Sequence, residues 1–436
     1  MGRLLTGLLF GLLSVASVPA LANDERANDQ RADGLRDALQ RFLHDDAEAV
    51  LHFRSYFLDR TNPTPPNNAA WAGGGWVGLK TGWFYDTFQL AAVGYTTQPL
   101  WAPPTTDGTQ LLAPGQYGFF TLGEANAAVR AQGQVFRAWR QQLDELEVNP
   151  NDDRMIPNTF EAYALSGDLG PTSNPVRYFA GYVASMKFKG VPYFANMAER
   201  AGAPADVTAG MWLASLKYGE IDTFQLRSSV YYVPDILTSN YNDFSVGLPI
   251  TEAFRARFSG QFMVQGSNGL NLLTGGPFGT FAAGAKMELM WGPATLWGVF
   301  TQTGSAYQYQ TPYGQWIGYT KQITKDFDRA GERAWQVGLI LDFAAIDLPG
   351  LTFIGSATMG ANAINPADGA PLSRINEYDF DLIYQVASKD APDWLKPLNL
   401  RARAAFVDQF ETNYMTAITE YRLILNYELT WKGTRK

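Results

Sequence analysis

Cysteine is absent from this 436-residue sequence, and histidine occurs only at His44 and His52. Without cysteine, no disulfide framework can hold the chain together. Both histidines lie at or before the first predicted strand, and no G-x-S-x-G, Walker or H-E-x-x-H motif is present. No spacing of carboxylates singles out a metal site or an acid–base pair. The sequence therefore predicts neither an enzyme nor a protein that binds a metal or cofactor.

Long apolar runs are confined to the first residues. Arg3 supplies a positive start, 4–18 an apolar stretch and 20–22 a small-residue cleavage site, so 1–22 is predicted to be a cleaved signal peptide. Beyond it, no run of about 18 apolar residues could form a transmembrane helix. The net charge of −8 does not favour nucleic acid as a partner. An exported protein, periplasmic, secreted or in the outer membrane, is expected.

Strict alternation of apolar and polar residues is what the sequence does contain. In 398–406 every second residue is apolar, and Arg401 and Arg403 lie on the other face. The stretch 420–431 repeats the pattern, with tyrosine and leucine on one face and Arg422 on the other. Such alternation is typical of β-strands. A soluble sandwich could show it too, but long strands that are aromatic-rich on one face and charged on the other favour a transmembrane barrel with a wet lumen.

About eighteen such strands are predicted, which defines an all-β, antiparallel transmembrane barrel. They lie near 50–59, 74–83, 87–96, 118–130, 134–142, 159–167, 176–187, 209–218, 221–232, 236–247, 253–265, 280–291, 294–303, 334–343, 351–359, 377–387, 398–407 and 418–431. The barrel domain is expected over 50–431. A polar extension, 23–49, with a short amphipathic helix precedes it, and a polar tail, 432–436, follows.

The joints between these strands roughly alternate in length. Tight turns such as 131–133 and 291–294 are interleaved with long polar joints such as 60–73 and 304–334. Short periplasmic turns and long external loops give a barrel this rhythm. It weakens at two places, a short joint at 233–236 and a long one at 387–397.

Basic residues on the inward face are the sharpest functional signal. They are Arg54, Arg227, Arg255, Arg257, Lys286, Arg401, Arg403 and Arg422. Residues two apart on a strand are separated by about 7 Å, so such a row could pass a carboxylate from one guanidinium to the next. Alternatively, these cations pair with inward carboxylates such as Glu288, Glu377, Asp379 and Asp381 and only fill a polar lumen. The pattern alone leaves both interpretations open.

Several motifs resemble those of the OprD-type outer-membrane porins. The clearest is N-D-D-R-M-I-P-N-T-F at 151–160, which is similar to a loop motif of that family. The segments 52–60, 326–332, 377–381 and 398–403 are similar as well, and the likeness runs from about residue 50 to 431. The resemblance implies an eighteen-stranded barrel through which small carboxylate-bearing solutes diffuse passively.

The resemblance also implies a constriction made by the third external loop, 142–158. Its expected site residues are Asn151, Asp152, Asp153, Arg154 and Pro157. Expected partners are outer-membrane lipid and lipopolysaccharide, the barrel-assembly machinery and the solutes, with the protein as a monomer or loose oligomer. A hydrophobic-solute channel of the fatty-acid type with an N-terminal plug, and a barrel enzyme or structural surface protein, remain as alternatives.

Overall fold

The computed structural model of the chain describes residues 34–388, 390–411 and 414–433. The predicted signal peptide, the first part of the predicted extension and the end of the predicted tail lie outside the described residues. Within them, no helix is both long and apolar enough to cross a membrane.

Eighteen long strands form one closed antiparallel sheet in the described part of the chain, which confirms the predicted fold. The strands are β1 (Glu48–Thr61), β2 (Asn68–Lys80), β3 (Phe88–Trp101), β4 (Phe119–Ala131), β5 (Gln134–Gln141), β6 (Thr159–Leu169), β7 (Val176–Lys187), β8 (Met211–Gly219), β9 (Phe224–Val233), β10 (Leu237–Pro249), β11 (Phe254–Gly266), β12 (Gly279–Trp291), β13 (Ala294–Thr303), β14 (Arg333–Asp342), β15 (Leu351–Ala361), β16 (Arg374–Gln385), β17 (Leu398–Phe410) and β18 (Met415–Lys432). Each pairs with its neighbours in the chain, and β1 pairs with β18 to close the ring.

Short elements accompany the barrel. Residues 34–40 are helical and continue into a π-helix, Arg41–Asp45. The others are a helix, Met197–Ala201, three 3₁₀ helices, Pro104–Thr106, Phe343–Ile346 and Asp393–Leu395, and a three-residue strand, Phe194–Asn196, that pairs with the end of β7.

The connections separate into two rims. One, the short-turn rim, carries 81–87, 132–133, 170–175, 220–223, 250–253, 292–293, 343–350 and 386–397. The other, the long-loop rim, carries 62–67, 102–118, 142–158, 188–210, 234–236, 267–278, 304–332, 362–373 and 411–414. Both exceptions expected from the sequence occur, the short joint at 234–236 and the long one at 386–397.

The outer wall is apolar and the inner wall is polar. On β18, Leu423 and Trp431 are 58% and 53% exposed on the outside, while Glu420 and Arg422 are almost completely buried on the inside. A soluble sandwich would bury the leucine face instead. An exposed apolar wall around a charged interior is the arrangement of a barrel whose outside meets lipid.

Apolar residues of the long loops pack against the inner wall of the barrel near the long-loop rim. Leu143 and Val148 pack with Phe160 and Val183 of the wall in one cluster. A second cluster brings Ile156 against β1 and β3. A cavity of about 1030 Å³ lies nearer the short-turn rim, where Gly133 and Lys217 line it.

The start of β2 is a correction to the sequence prediction. The strand begins at Asn68 rather than near 74, so the joint predicted over 60–73 is only 62–67. Alanine and glycine hide the alternation here, although Ala70 is fully buried. Gly75 has φ 131°, and a Cβ atom on it would lie 2.0 Å from a carbonyl oxygen of β1. Small residues therefore serve close strand packing that a hydrophobic pattern does not reveal.

The end of β3 also differs from the prediction. The strand continues to Trp101 rather than to about 96, past Pro99. A register shift between Trp71 and Ala72 of the partner strand accompanies this proline. Proline cannot donate to the ladder, so it indicated a loop, whereas an irregular pairing accommodates it at the end of the strand.

The described part of the N-terminal extension packs on the short-turn rim. The ring of Phe42 lies 5.6 Å from that of Phe84 and 6.4 Å from that of Phe88. The backbone N–H of Gly82 donates to the carbonyl of Phe42 at 2.8 Å. The extension therefore reaches the barrel beside the turn 81–87, and β1 starts at Glu48.

Replacing Leu423 with arginine tests the orientation of the wall. Leu423 lies near the middle of β18 and faces outward. An arginine at the bilayer midplane costs about 2–4 kcal/mol in such barrels, so Leu423→Arg is expected to lower the free energy of unfolding in lipid vesicles by that amount. Asn399→Arg, on the inner wall, is the matched control and should change it little. Equal losses in both variants would contradict the assignment of faces.

Candidate functional site

The loop 142–158, here called the crossing loop, runs through the interior of the barrel. At one end the guanidinium of Arg54 in β1 binds the carboxylate of Asp152, with Nη1–Oδ1 2.6 Å and Nη2–Oδ2 3.0 Å. At the other end the carboxylate of Glu147 accepts a hydrogen bond from Ser239 in β10 at 2.9 Å. Because β1 and β10 lie on opposite sides of an eighteen-stranded ring, the loop spans the lumen and narrows it.

Asp153 and Arg154 tie the crossing loop to neighbouring loops. The carboxylate of Asp153 pairs with Arg154 at 2.8 Å and with Lys189. Arg154 also donates from Nε to the carbonyl of Thr109 at 2.8 Å. Burial alone would raise the pKa of Asp153, but the two cations outweigh it and hold the pKa below the usual range. Burial lowers the pKa of Lys189 to about 8 although Asp153 opposes this.

The two remaining loop residues predicted from the sequence have backbone roles. The carbonyl of Pro157 accepts a hydrogen bond from Lys187 of β7 at 2.8 Å. The backbone N–H of Asn151 donates to the side chain of Asn149 at 3.1 Å. Asn151 has φ 44°, a left-handed conformation that asparagine tolerates better than most residues. Both residues shape the loop rather than present charge to the lumen.

A second loop, 304–332, here called the inner loop, also folds into the barrel. The carboxylate of Glu377 in β16 accepts the backbone N–H groups of Thr324 and Lys325 at 2.7 and 2.8 Å. Asp379 accepts the N–H of Ile323 at 2.7 Å. This part of the loop therefore lies against the inner wall. The sequence predicts this segment only as one of the long external joints, because strand alternation carries no information about the path of a loop.

The crossing loop and the inner loop contact each other. Glu147, almost fully buried, accepts a hydrogen bond from Tyr309 at 2.7 Å. The side chain of Asn149 donates to the carbonyl of Gln315 at 3.1 Å and accepts its N–H at 2.8 Å. Burial raises the pKa of Glu147 to about 7, although the hydrogen bonds from Tyr309 and Ser239 lower it. The constriction is thus built from two loops that support one another.

Four of the predicted basic residues line one cavity of about 400 Å³ beside the crossing loop. They are Arg54, Arg401, Arg403 and Arg422, and the loop residues Arg154 and Lys321 join them. The strand register brings the wall residues together, because Arg403 lies opposite Asp381 on one side and opposite Arg422 on the other. Lys321 was missed by the sequence analysis because it belongs to the inner loop, where strand periodicity does not apply.

Ion pairs in this cluster share carboxylates. Asp381 pairs with Arg401, and its Oδ2 lies 3.1 Å from Nε of Arg403. Glu420 likewise pairs with both Arg60 and Arg422. Where two cations share one carboxylate, pairing leaves one positive charge in excess.

The ion pairs also show which inward carboxylates neutralise basic residues of the lumen. Asp381 and Glu288 do so, as the lumen-filling interpretation expected. Glu377 and Asp379 instead bind the inner-loop backbone and form no ion pair with an arginine of the described residues. The inward carboxylates therefore divide between neutralising arginines and holding a loop.

The other predicted cations lie elsewhere. Arg227 forms a one-to-one pair with Asp243 and lines a larger cavity of about 1030 Å³ on the other side of the crossing loop. Near the short-turn rim, Arg257 binds Asp222 at 2.6 Å and Glu288 at 3.2 Å, and Lys286 binds Glu288 at 2.9 Å. The side chain of Arg255 contacts only the sulfur of Met290, at 3.9 Å, among its described hydrogen bonds. These four residues are not part of the cluster around Arg401.

The two cavities meet at the crossing loop. Asp152 and Gln315 line both of them, so one residue of each inward loop lies between the two spaces. Among the described residues, no group of three or more His, Cys, Asp or Glu side chains could hold a metal ion.

A closed barrel with an apolar outer wall and a charged lumen narrowed by loops defines an outer-membrane porin. The family model for outer membrane porins of the OprD family matches residues 40–431, so the chain belongs to that family. The resemblance seen in the sequence motifs is thereby confirmed. Proteins of this family are channels of the outer membrane.

Solved structures of Pseudomonas porins share the fold. OccK9 (OpdG) of Pseudomonas aeruginosa has a TM-score of 0.78 and 20% identity, covering 89% of this chain and 100% of that one. OpdK of the same organism, solved with vanillate, has a TM-score of 0.76 and 19% identity, covering 88% and 99%. A BenF-like porin from Pseudomonas fluorescens Pf-5 has a TM-score of 0.75 and 19% identity, covering 89% of this chain and 100% of that one. A comparison with curated proteins finds no match.

Removing the Glu377 carboxylate tests whether it holds the inner loop inside the barrel. Each hydrogen bond to a charged acceptor is worth about 1.5–3 kcal/mol, so Glu377→Ala should release the loop and raise single-channel conductance. Glu288→Ala, which removes a lumenal carboxylate that hydrogen-bonds to neither inward loop among the described residues, is the control and should leave the conductance close to that of the wild type. An unchanged conductance in Glu377→Ala would show that the loop is held by other contacts.

The anchoring of the crossing loop at Glu147 should depend on pH. Its carboxyl holds a proton more tightly in the folded protein than in the unfolded chain, because burial raises the pKa from 4.5 to about 7. The anchor's contribution to stability is therefore full below pH 4.5 and falls as the pH rises to about 7. Hydrogen exchange of 142–158 in the folded porin, corrected for intrinsic rates, is therefore expected to be faster at about pH 8 than at about pH 5.

The matched variant for this experiment is Glu147→Gln. It has no titratable group at the anchor, so its corrected exchange around residue 147 should change much less between the two pH values than that of the wild type, and the change that remains reports Lys189, whose pKa of about 8 lies in the same range. Glu288→Gln, remote from the crossing loop, should retain the wild-type difference. A pH difference in Glu147→Gln as large as that of the wild type would assign the effect to another group.

Proposed function

We propose that this porin conducts small carboxylate-bearing solutes by passive diffusion, with Arg401 and Arg403 as the cations they meet beside the crossing loop. The observation that carries the proposal is the sharing of Asp381 by these two arginines. One carboxylate neutralises one guanidinium, so the pair retains a positive charge facing the cavity. Filling a polar lumen would need only one-to-one pairs such as Arg227 with Asp243.

Exposure supports the same assignment. The side chains of Arg401 and Arg403 are 34% and 19% exposed, whereas that of Asp381 is only 6% exposed. The guanidinium groups thus face the cavity, and the shared carboxylate lies behind them. Guanidinium groups bind carboxylates through paired hydrogen bonds and remain charged at any physiological pH.

The bound counter-charge also suits conduction. A solute must bind its site strongly enough to enter the channel and weakly enough to leave it. Asp381 already occupies part of the binding capacity of Arg401 and Arg403, which limits how tightly an arriving carboxylate can be held. Binding of vanillate, an aromatic carboxylate, to the related OpdK agrees with this class of solute.

The alternative of a hydrophobic-solute channel is less well supported. Such a channel needs a lateral opening, whereas pairing between neighbouring strands continues around the ring, including β1 with β18. It also needs an N-terminal plug, whereas the helical end of the extension packs on the rim turn 81–87. A large rise in conductance on deletion of 23–49 would favour the plug.

The double variant Arg401→Gln/Arg403→Gln tests the proposal. Two part-exposed charge contacts worth about 0.5–1 kcal/mol each correspond to a loss of about five- to thirtyfold in carboxylate flux. Benzoate and a neutral sugar of similar size can be compared in liposome swelling, with the reversal potential measured in planar bilayers. Benzoate flux and anion preference should fall, and sugar flux should change little.

Arg177→Gln is the control for this experiment. Arg177 is an exposed lumenal arginine that lines the larger cavity and pairs with Asp168 at 3.4 Å. Its replacement removes one positive charge from the lumen but none from the cluster, so benzoate flux should stay near the wild-type level. Equal losses of benzoate and sugar flux in the double variant would indicate collapse of the pore. Equal benzoate losses in double variant and control would overturn the assignment to Arg401 and Arg403.

A further inference from the structure

Two exposed arginines lie on the outer wall at the long-loop rim, away from the lumen. Arg333 is the first residue of β14 and Arg374 the first of β16. Arg333 shares a face with Trp335, which is 46% exposed, and Arg374 shares one with the exposed Tyr378. Residues at the intervening positions, such as Ala334, are buried toward the lumen. Both guanidinium groups therefore belong to the surface that meets the membrane.

The strand register places these arginines side by side. Arg333 lies opposite Ala361 of β15. Gly360 lies opposite Ile375 of β16, so the next position around the ring from Ala361 is Arg374. Strands are spaced about 4.8 Å apart, which puts the two arginine Cα atoms about 10 Å from each other. An alanine between two long cationic side chains leaves room for an anion that both can reach.

Neither arginine has an anionic partner among the described residues. No side-chain hydrogen bond or ion pair among the described residues involves Arg333, and the side chain of Arg374 only stacks on the ring of Phe410, 4.2 Å from its centroid. Asp408, one row below on β17, forms no ion pair with either. The arginines on the inner wall discussed above differ in that each of them except Arg255 contacts at least one carboxylate, whether alone or shared.

The wall below this pair is apolar and exposed. Trp335, Val337 and Met359 are 46%, 62% and 45% exposed, and each lies one or two rows nearer the middle of the barrel. A molecule that contacts both the arginine pair and this apolar wall must carry a negative head and a hydrocarbon tail. Arginines at the membrane surface attract anionic lipid headgroups, and guanidinium groups bind phosphate through paired hydrogen bonds.

We propose that Arg333 and Arg374 bind the phosphate of a lipid headgroup in the leaflet that meets the long-loop rim. The acyl chains of that lipid run down the wall over Trp335, Val337 and Met359. The site is separate from the carboxylate path, because the barrel wall lies between them. Phosphate monoesters of a glycolipid and phosphodiesters of a phospholipid share the recognised chemistry, and the experiment below distinguishes them.

Native mass spectrometry of the folded porin in detergent tests this site. The full-length mature protein is titrated with lipopolysaccharide, with phosphatidylglycerol and with inorganic phosphate. The wild type should retain one of the two lipids, and inorganic phosphate should not displace it at equal concentration. Arg333→Gln/Arg374→Gln should bind that lipid about tenfold or more weakly. The lipid that is retained identifies the headgroup class.

Two controls make the outcome decisive. Arg177→Gln removes an exposed arginine from the lumen, so it should bind lipid as the wild type does. Arg333→Gln/Arg374→Gln should keep the heat-modifiable electrophoretic mobility of a folded barrel and the wild-type benzoate flux. These two measurements separate this test from that of the solute path. Lipid binding that is equal in the double variant and the wild type would overturn the proposal. Displacement of the lipid by equimolar inorganic phosphate would overturn it too.

Discussion

The structure depends on the closure of its hydrogen-bond ladder between β1 and β18. Inside a membrane no water can satisfy an open strand edge, so the first and last strands must find each other across nearly the whole length of the chain. They pair over fourteen positions, from Glu48 with Lys432 to Thr61 with Thr419. Closure fixes which side chains face lipid and which face the lumen, and it encloses the long loops that turn inward.

Within the enclosed lumen, charge is organised by unequal pairing. Asp381 and Glu420 each serve two arginines, and Asp153 serves an arginine and a lysine. Unpaired cations in such a confined space would repel each other, and complete pairing would abolish the field that attracts an anion. Shared carboxylates lie between these limits. They hold the cations in place while leaving positive charge at the surface of the cavity.

The sequence was sufficient for the barrel because strand periodicity is local. Arg401 and Arg403 could be assigned to the inner wall from alternation alone, and β7 and β13 have the predicted bounds. Their pairing with Asp381 could not be predicted from the sequence, because the register of β16 and β17 also depends on the long turn 386–397. The path of the inner loop could not either, because Glu377 holds it through backbone N–H groups, which every residue but proline possesses.

The crossing loop also has a mechanical role in the cross-section of the barrel. A ring of eighteen strands resists stretching along its circumference, yet it can flatten into an ellipse with little change in its ladder. Fastened at Arg54 on one side and at Ser239 on the opposite side, the loop acts as a tie across the diameter. It limits how far the ring can flatten under lateral membrane pressure. The width of the aperture is therefore set by this tie as well as by the number of strands.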